Sequence, residues 1–161
     1  MSKTSIIPTR IHSLEAKTGM PVLRVSIGGG EDIDMATRSA VASRHYKVVA
    51  WVVRGQEFVT PFVEGKLDPI WNRRFEVLMD PAVMSAAFLH VEVIRASSDE
   101  PGTSRNAAVV GRARIPLPEL PGAPPPSSFR RYGLTVPHGG EVRPGGHIYV
   151  LMEIRGRFTE E

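Results

Sequence analysis

The run Gly65-Lys66-Leu67-Asp68-Pro69-Ile70-Trp71-Asn72-Arg73-Arg74-Phe75-Glu76-Val77 decides how this chain folds. Asp68-Pro69 cannot lie inside a helix, because proline pushes the preceding residue out of the α region and has no N–H to donate. The pair therefore reads as a loop tip. From Trp71 onward, bulky Trp71, Phe75 and Val77 are interleaved with polar Asn72, Arg74 and Glu76, the period of a strand with one face buried. Arg73 interrupts the alternation, so a bulge or a twisted edge is expected there. A tryptophan where a loop becomes a strand closes one end of an apolar interior. Trp71, Phe75 and, further back, Trp51 are the expected structural anchors.

The same period recurs on both sides of this run. Leu23, Val25 and Ile27 alternate with Arg24, Ser26 and Gly28 in a first strand, which Gly28-Gly29-Gly30 is expected to end. A polar loop to about Arg44 follows, with room for a helical turn between Met35 and Ser43. Tyr46 to Arg54 is apolar on both faces and β-branched, the strongest strand signal in the chain. Arg54-Gly55-Gln56 predicts a hairpin into a partner strand, Glu57 to Phe62. The Trp71 strand runs to about Met79, where Asp80-Pro81 stops it and Ala82 to Ala87 allows a short helical turn. Strands are then expected around Leu89 to Ile94, Val109 to Ile115, Phe129 to Val136 and His147 to Ile154. Between the third-last and second-last of these lies a Pro-rich crossover, residues 122–128. The last two strands are expected to be joined through Pro137-His138-Gly139-Gly140, with Gly145-Gly146 marking the turn into the last strand. About eight short strands, no long helix and regular turn signals predict an all-β, antiparallel sandwich over residues 21–156. Residues 1–20 read as a loose arm or an extra edge strand, and 157–161 as a tail.

Composition bounds what such a domain does. At 161 residues the chain suits one core of moderate size. Lys and Arg exceed Asp and Glu by 20 − 17 = 3, enough for weak attraction to an anionic membrane surface. It is too little, and too dispersed, for a nucleic-acid partner. There is no cysteine, which excludes disulfides and cysteine-based zinc sites. The first residues lack the apolar stretch of a signal peptide, and Ser2 stands where myristoylation needs glycine. The apolar run Val48 to Val53 is far too short to span a bilayer. Membrane contact, if made, is expected to be peripheral, from the cytoplasm onto the plasma membrane or endomembranes. The five histidines show no metal-ligand spacing. No serine sits in a nucleophile elbow, and Gly28-Gly29-Gly30-Glu31-Asp32 is not a phosphate-binding loop. An enzyme is not expected.

Three segments together resemble the C2 domain, across about residues 20 to 156. Asp68-Pro69-Ile70-Trp71-Asn72-Arg73-Arg74-Phe75 resembles the family's Asn/Asp/Tyr-Pro-x-Trp-Asn/Lys-x-x-Phe corner. Arg44-His45-Tyr46-Lys47-Val48-Val49 resembles its Asp-Pro-Tyr-Val/Ala-x-Val/Ile start of a strand. Val109-Val110-Gly111-Arg112-Ala113-Arg114-Ile115-Pro116-Leu117 resembles the Ile-Gly-x-x-x-Ile/Val-Pro-Leu/Val strand after the third variable loop. The resemblance implies an eight-stranded C2 sandwich with long loops at one end. Within the family the chain is most similar to small single-domain plant proteins, a cold-induced group and those associated with the copine BONZAI, which restrain defence and cell death. Leu89-His90-Val91-Glu92-Val93 and the last two strands run parallel to their pattern.

Calcium-dependent members use about five aspartates from three loops, because Ca²⁺ takes roughly six to eight oxygens. Here Arg44 stands at the position of the aspartate before the Tyr strand. Arg95 and Ser97 stand at the pair after Val93-Ile94, and Ala108 near the last. Asp32, Asp34, Asp99 and Glu100 remain as loop acids, with Asp34 and Asp99 the candidates for residual metal binding. Calcium is therefore not expected as a cofactor, nor is any other. Arg38, Arg44, Lys66, Arg95 and Arg105 lie in the three loops and are the candidate contacts to lipid phosphate, at about 1 kcal/mol each if the loops meet. Strand parity places Lys47 and Arg54 on opposite faces, which argues against a basic groove on that strand. The expected partners are an anionic phospholipid membrane and, alternatively, a larger signalling protein such as a copine.

Overall fold

A computed structural model describes residues 19–35, 44–65, 68–96, 108–119 and 128–156. Among the described residues the strands are β1 (Val22–Glu31), β2 (Arg44–Trp51), β3 (Phe58–Val59), β4 (Val63–Gly65), β5 (Ile70–Leu78), β6 (Phe88–Arg95), β7 (Ala108–Pro116), β8 (Arg130–His138) and β9 (Glu141–Arg155), with a short helix, α1 (Pro81–Met84), between β5 and β6. They hydrogen-bond in the order β3-β2-β6-β7-β8-β9-β1-β5, with β4 also on β2, and the pairings are antiparallel.

Both ends of that path meet. Phe58 of β3 stacks on Phe75 of β5 with ring centroids 4.1 Å apart, and the Trp71 indole N–H on β5 donates to the Tyr46 carbonyl on β2 at 3.0 Å. The path is thus folded into two layers, β3/β4-β2-β6-β7 and β8-β9-β1-β5, joined where Arg112 of β7 pairs with Thr135 of β8. Inward side chains of alternating positions fill the space between: Leu23, Val25 and Ile27, Tyr46, Val48 and Ala50, Leu89, Val91 and Val93, Ile148, Val150 and Met152 all belong to one buried cluster. Each large member contributes about 1.5–3 kcal/mol by leaving water. This is the antiparallel sandwich that period-two patterning predicts.

Local details differ from the expectation, each for a physical reason. Of the partner strand expected at Glu57–Phe62 only Phe58–Val59 pairs, as β3, and β4 (Val63–Gly65) forms beyond its expected end, giving nine strands among the described residues. Pro61 cannot donate to a ladder, and Thr60 substitutes a side chain: its Oγ1 accepts from Val48 N–H at 2.9 Å. Gly28-Gly29-Gly30 does not end β1 but lies within it. A Cβ on Gly29 would sit 3.0 Å from the Pro69 carbonyl and one on Gly30 2.6 Å from Ile33 Cγ1, so glycine there lets two loops close over the strand end. The bulge in β5 lies one step earlier than Arg73. Ile27 to Gly29 on β1 is matched by Arg73 to Ile70 on β5, and Asn72 takes φ +50°. The last turn is Gly139-Gly140, with φ +56° and +87°, the conformation of a two-residue hairpin loop. Gly145-Gly146 is instead a bulge inside β9, opposite the register shift between Gly133 and Thr135. Asp80 caps α1 by accepting from Val83 N–H at 2.9 Å.

Candidate functional site

The described ends of three loops meet at one end of the sandwich. Gly30 N–H donates to the Pro69 carbonyl at 2.9 Å, and Asp32 N–H to Asp68 Oδ1 at 3.2 Å. These bonds tie the loop after β1 to the Asp68-Pro69 tip before β5. Arg44 pairs with Gly65 across β2 and β4, and Ala96 N–H, just past β6, donates to the His45 carbonyl at 2.8 Å.

Asp34 lies at the centre of this end. It takes φ +63°, a left-handed conformation that aspartate tolerates better than most residues, and its side chain is only 3% exposed. Its carboxylate accepts from the Tyr46 hydroxyl at 2.8 Å, from Arg44 Nη1 at 3.2 Å, and from Arg95 Nη1 at 3.0 Å to each oxygen. Tyr46, Arg44 and Arg95 reach it from β2 and from the end of β6, so one buried acid fastens the first loop to both strands. Charge-assisted bonds of this kind are the strong ones. Burial, and then the hydrogen bond to Asp34, push the Tyr46 hydroxyl up to about 12, so it stays a donor throughout the physiological range.

Among the described residues, the donors around Asp34 do not fit calcium. A divalent cation needs several free carboxylate oxygens converging. Here the oxygens of Asp34 are engaged by two guanidinium groups and a phenol. Among the described residues there is no group of three or more His, Cys, Asp or Glu able to hold a metal.

A second cationic surface lies on the outer face of β2, β6 and β7. Trp51, His90 and Arg114 are successive cross-strand neighbours. Trp51 and His90 stack at 5.4 Å with their planes 13° apart, the Arg54 guanidinium lies 4.3 Å over Trp51, and that of Arg114 4.7 Å over Phe88. One row along, Arg112 pairs with Glu92 at 3.0 Å, and Lys47 Nζ sits 4.8 Å from the Phe62 ring. Arg54 joins Lys47 on this face because β2 stops at Trp51 and the turn folds Arg54 back. Strand parity carried on to residue 54 therefore misplaces it.

The sequence model of the C2 domain matches residues 22–130. The chain belongs to the C2 domain family. Solved structures agree on the fold. A C2 domain of plant Extended Synaptotagmin 1, the one lettered A, superposes with a TM-score of 0.58 at 17% identity, covering 88% of this chain and 98% of that one. A C2 domain-containing protein from a gene described as elicitor-responsive gives 0.56 at 16%, covering 86% and 91%. The structure of CC2D1B, described as coordinating ESCRT-III activity in mitotic reformation of the nuclear envelope, gives 0.60 at 13%, covering 91% and 59%. A search of curated proteins finds no match. C2 domains are typically non-catalytic modules that bind phospholipid membranes or proteins. No helix among the described residues is long and apolar enough to cross a membrane.

In this C2 domain, the expected site residues fall into separate groups. Arg44 and Arg95 converge, but on Asp34. Arg38, Lys66, Arg105 and Asp99 lie outside the described residues, as do residues 1–18 and 120–127. Trp71 is buried in the core cluster and Phe75 packs against it. Trp51, 8% exposed, is covered on the other side of its sheet and lies outside that cluster. The Trp51–His90–Arg114 row was not singled out from sequence, since those three residues become neighbours only through the strand register.

Proposed function

We propose that this C2 domain is a calcium-independent adaptor that docks peripherally on anionic phospholipid. The observation that carries the reading is Asp34 held by Arg44 and Arg95 at 3.2 and 3.0 Å. A guanidinium pair does from within the chain what a bound cation would otherwise do, joining the loops and neutralising the acid, so membrane contact does not wait on calcium. With Arg44 and Arg95 committed to Asp34, phosphate contacts fall to Lys47, Arg54 and Arg114 on the outer face, together with loop cations Arg38, Lys66 and Arg105. On that face Lys47, Arg54, Arg112 and Arg114 outnumber their acidic partners Glu57 and Glu92. Each unengaged cation near an anionic surface contributes about 1 kcal/mol, screened by salt. The resemblance to small plant C2 proteins, and the likeness to the elicitor-responsive protein, support a place in plant defence, cell-death or stress signalling.

Co-sedimentation with phosphatidylserine vesicles tests this. The bound fraction is expected to be the same in chelator and in millimolar calcium, and to fall steeply with salt. Binding that appears only with calcium overturns it.

A second reading is favoured by exposed apolar side chains near the sheet edges: Val59 at 56%, Phe62 at 42% and Ile70 at 65%. On this reading the domain docks a larger protein, such as a copine, without lipid affinity of its own. Absence of vesicle binding at low salt, with a purified partner retained, would favour it.

A further inference from the structure

The open edge of the sandwich, away from both cationic surfaces described above, carries a cleft of about 210 Å³ between β3 and β5. Its floor is core: Ile27, Val48 and Ala50 are each 1% exposed. Phe58 and Phe75, stacked at 4.1 Å, form its aromatic wall. Arg73 and Arg74 contribute its charged lining. Arg73 pairs with Ile27 across β1, and Ile27 points into the core, so Arg73 holds an inward-facing position on an edge strand. The bulge at Asn72, φ +50°, falls directly before the two arginines. Both are exposed, and among the described residues no carboxylate pairs with either.

An apolar floor beside the inward-facing Arg73 guanidinium is complementary to one kind of ligand. We propose that this cleft binds an anionic single-chain amphiphile of the fatty-acid class, with the alkyl chain against Ile27, Val48 and Phe75 and the carboxylate at Arg73, while Arg74, paired with Ser26 on the outer face, adds positive charge at the rim. The volume is smaller than the roughly 300–1,000 Å³ of sites that enclose a whole drug-sized molecule, which suits one short chain and not a two-chain lipid. Planar guanidinium is well matched to a carboxylate, which it engages through paired N–H groups. The site is separate from bilayer docking, since it takes a monomeric ligand from water.

Calorimetric titration of the full chain with sodium hexanoate, heptanoate and octanoate, without vesicles, tests the proposal. Affinity is expected to rise about fourfold per added methylene until the cleft is filled. Octanol, which lacks the charge, should bind roughly tenfold more weakly than octanoate, and the Arg73→Gln/Arg74→Gln double variant should show the same loss. Val59→Trp, made at a cleft-lining position already 56% exposed, should block octanoate while leaving the melting temperature in place. No saturable binding overturns the proposal, as does affinity indifferent to chain length, charge or Val59→Trp. If Arg73→Gln/Arg74→Gln leaves octanoate affinity unchanged but promotes self-association, the arginines serve only to guard the edge strand, and the proposal fails.

Discussion

Asp34→Asn removes one negative charge and little else, which makes it the sharpest perturbation of the loop end. The side chain is 3% exposed, and its partners Arg44 and Arg95 are 20% and 24% exposed. Breaking a buried ion pair by deleting one partner costs about 3–5 kcal/mol. The arginines keep part of their hydration, which lowers that figure, and the asparagine carbonyl can still accept from Tyr46. Against this, two guanidiniums now face one another with no intervening carboxylate. The expected loss is about 3 kcal/mol. For a domain of this size about 1 kcal/mol moves the melting temperature by roughly 2–4 °C, so a fall of about 6–12 °C is expected. Guanidinium-chloride unfolding followed by tryptophan fluorescence measures it, with an unchanged m-value showing that the unfolded state is not what moved. Arg95→Ala made in the Asp34→Asn background should cost less than in the native chain, giving a coupling of about 1–2 kcal/mol. A loss below about 1 kcal/mol, or strict additivity of the two substitutions, would refute the idea that Asp34 and its arginines lock the loops together.

Other consequences can be checked in parallel. The Tyr46 hydroxyl is raised from 10.0 to about 12, so the folded state holds that proton more tightly than the unfolded one. Its contribution is complete below pH 10 and is lost as pH rises towards 12, and the late-titrating tyrosine that difference absorbance shows in wild type should be removed by Tyr46→Phe. Trp71→Phe leaves the Tyr46 carbonyl without the 3.0 Å bond from the indole and leaves a void beneath the loops. A loss of about 2–4 kcal/mol by chemical denaturation is expected. Gly146→Ala places a Cβ 2.5 Å from the Glu31 and Asp32 carbonyls at φ +91°, whereas Gly139→Ala at φ +56° meets open space. The first should cost upwards of about 3 kcal/mol and the second about 1 kcal/mol, in the same assay.

The fold was legible because its signals are local. Alternation around Leu23, Tyr46, Phe75 and Leu89 gives strands directly, and Asp68-Pro69 and Asp80-Pro81 mark where they stop. What local signals miss is register. Whether Gly145-Gly146 turns the chain or bulges within β9 depends on how β8 is aligned opposite, and Arg54 changes face because β2 ends at Trp51, two residues before its apolar run does. The site was half legible in the same way. Arginine in place of acid at positions 44 and 95 was visible in the sequence, and argued against calcium. That both arginines turn inward to Asp34 was not, because it depends on a left-handed backbone at Asp34 and on 61 residues of chain between Asp34 and Arg95 closing back. Loop positions that read as solvent-facing lipid contacts are, for Arg44 and Arg95, parts of a buried ion network. The aromatic and cationic row on the outer face arises from three strands, each carrying one unremarkable residue.

On the proposed reading, Arg44 and Arg95 make calcium unnecessary at the loop end. The melting temperature of the native chain in chelator and in 1 mM calcium tests it most directly. A ligand at a hundred times its dissociation constant stabilises by about 2.7 kcal/mol, so at 1 mM calcium a site with a dissociation constant of about 10 μM would raise the melting temperature by roughly 5–10 °C. No change beyond about one degree is expected. A rise of several degrees that chelation reverses would contradict it.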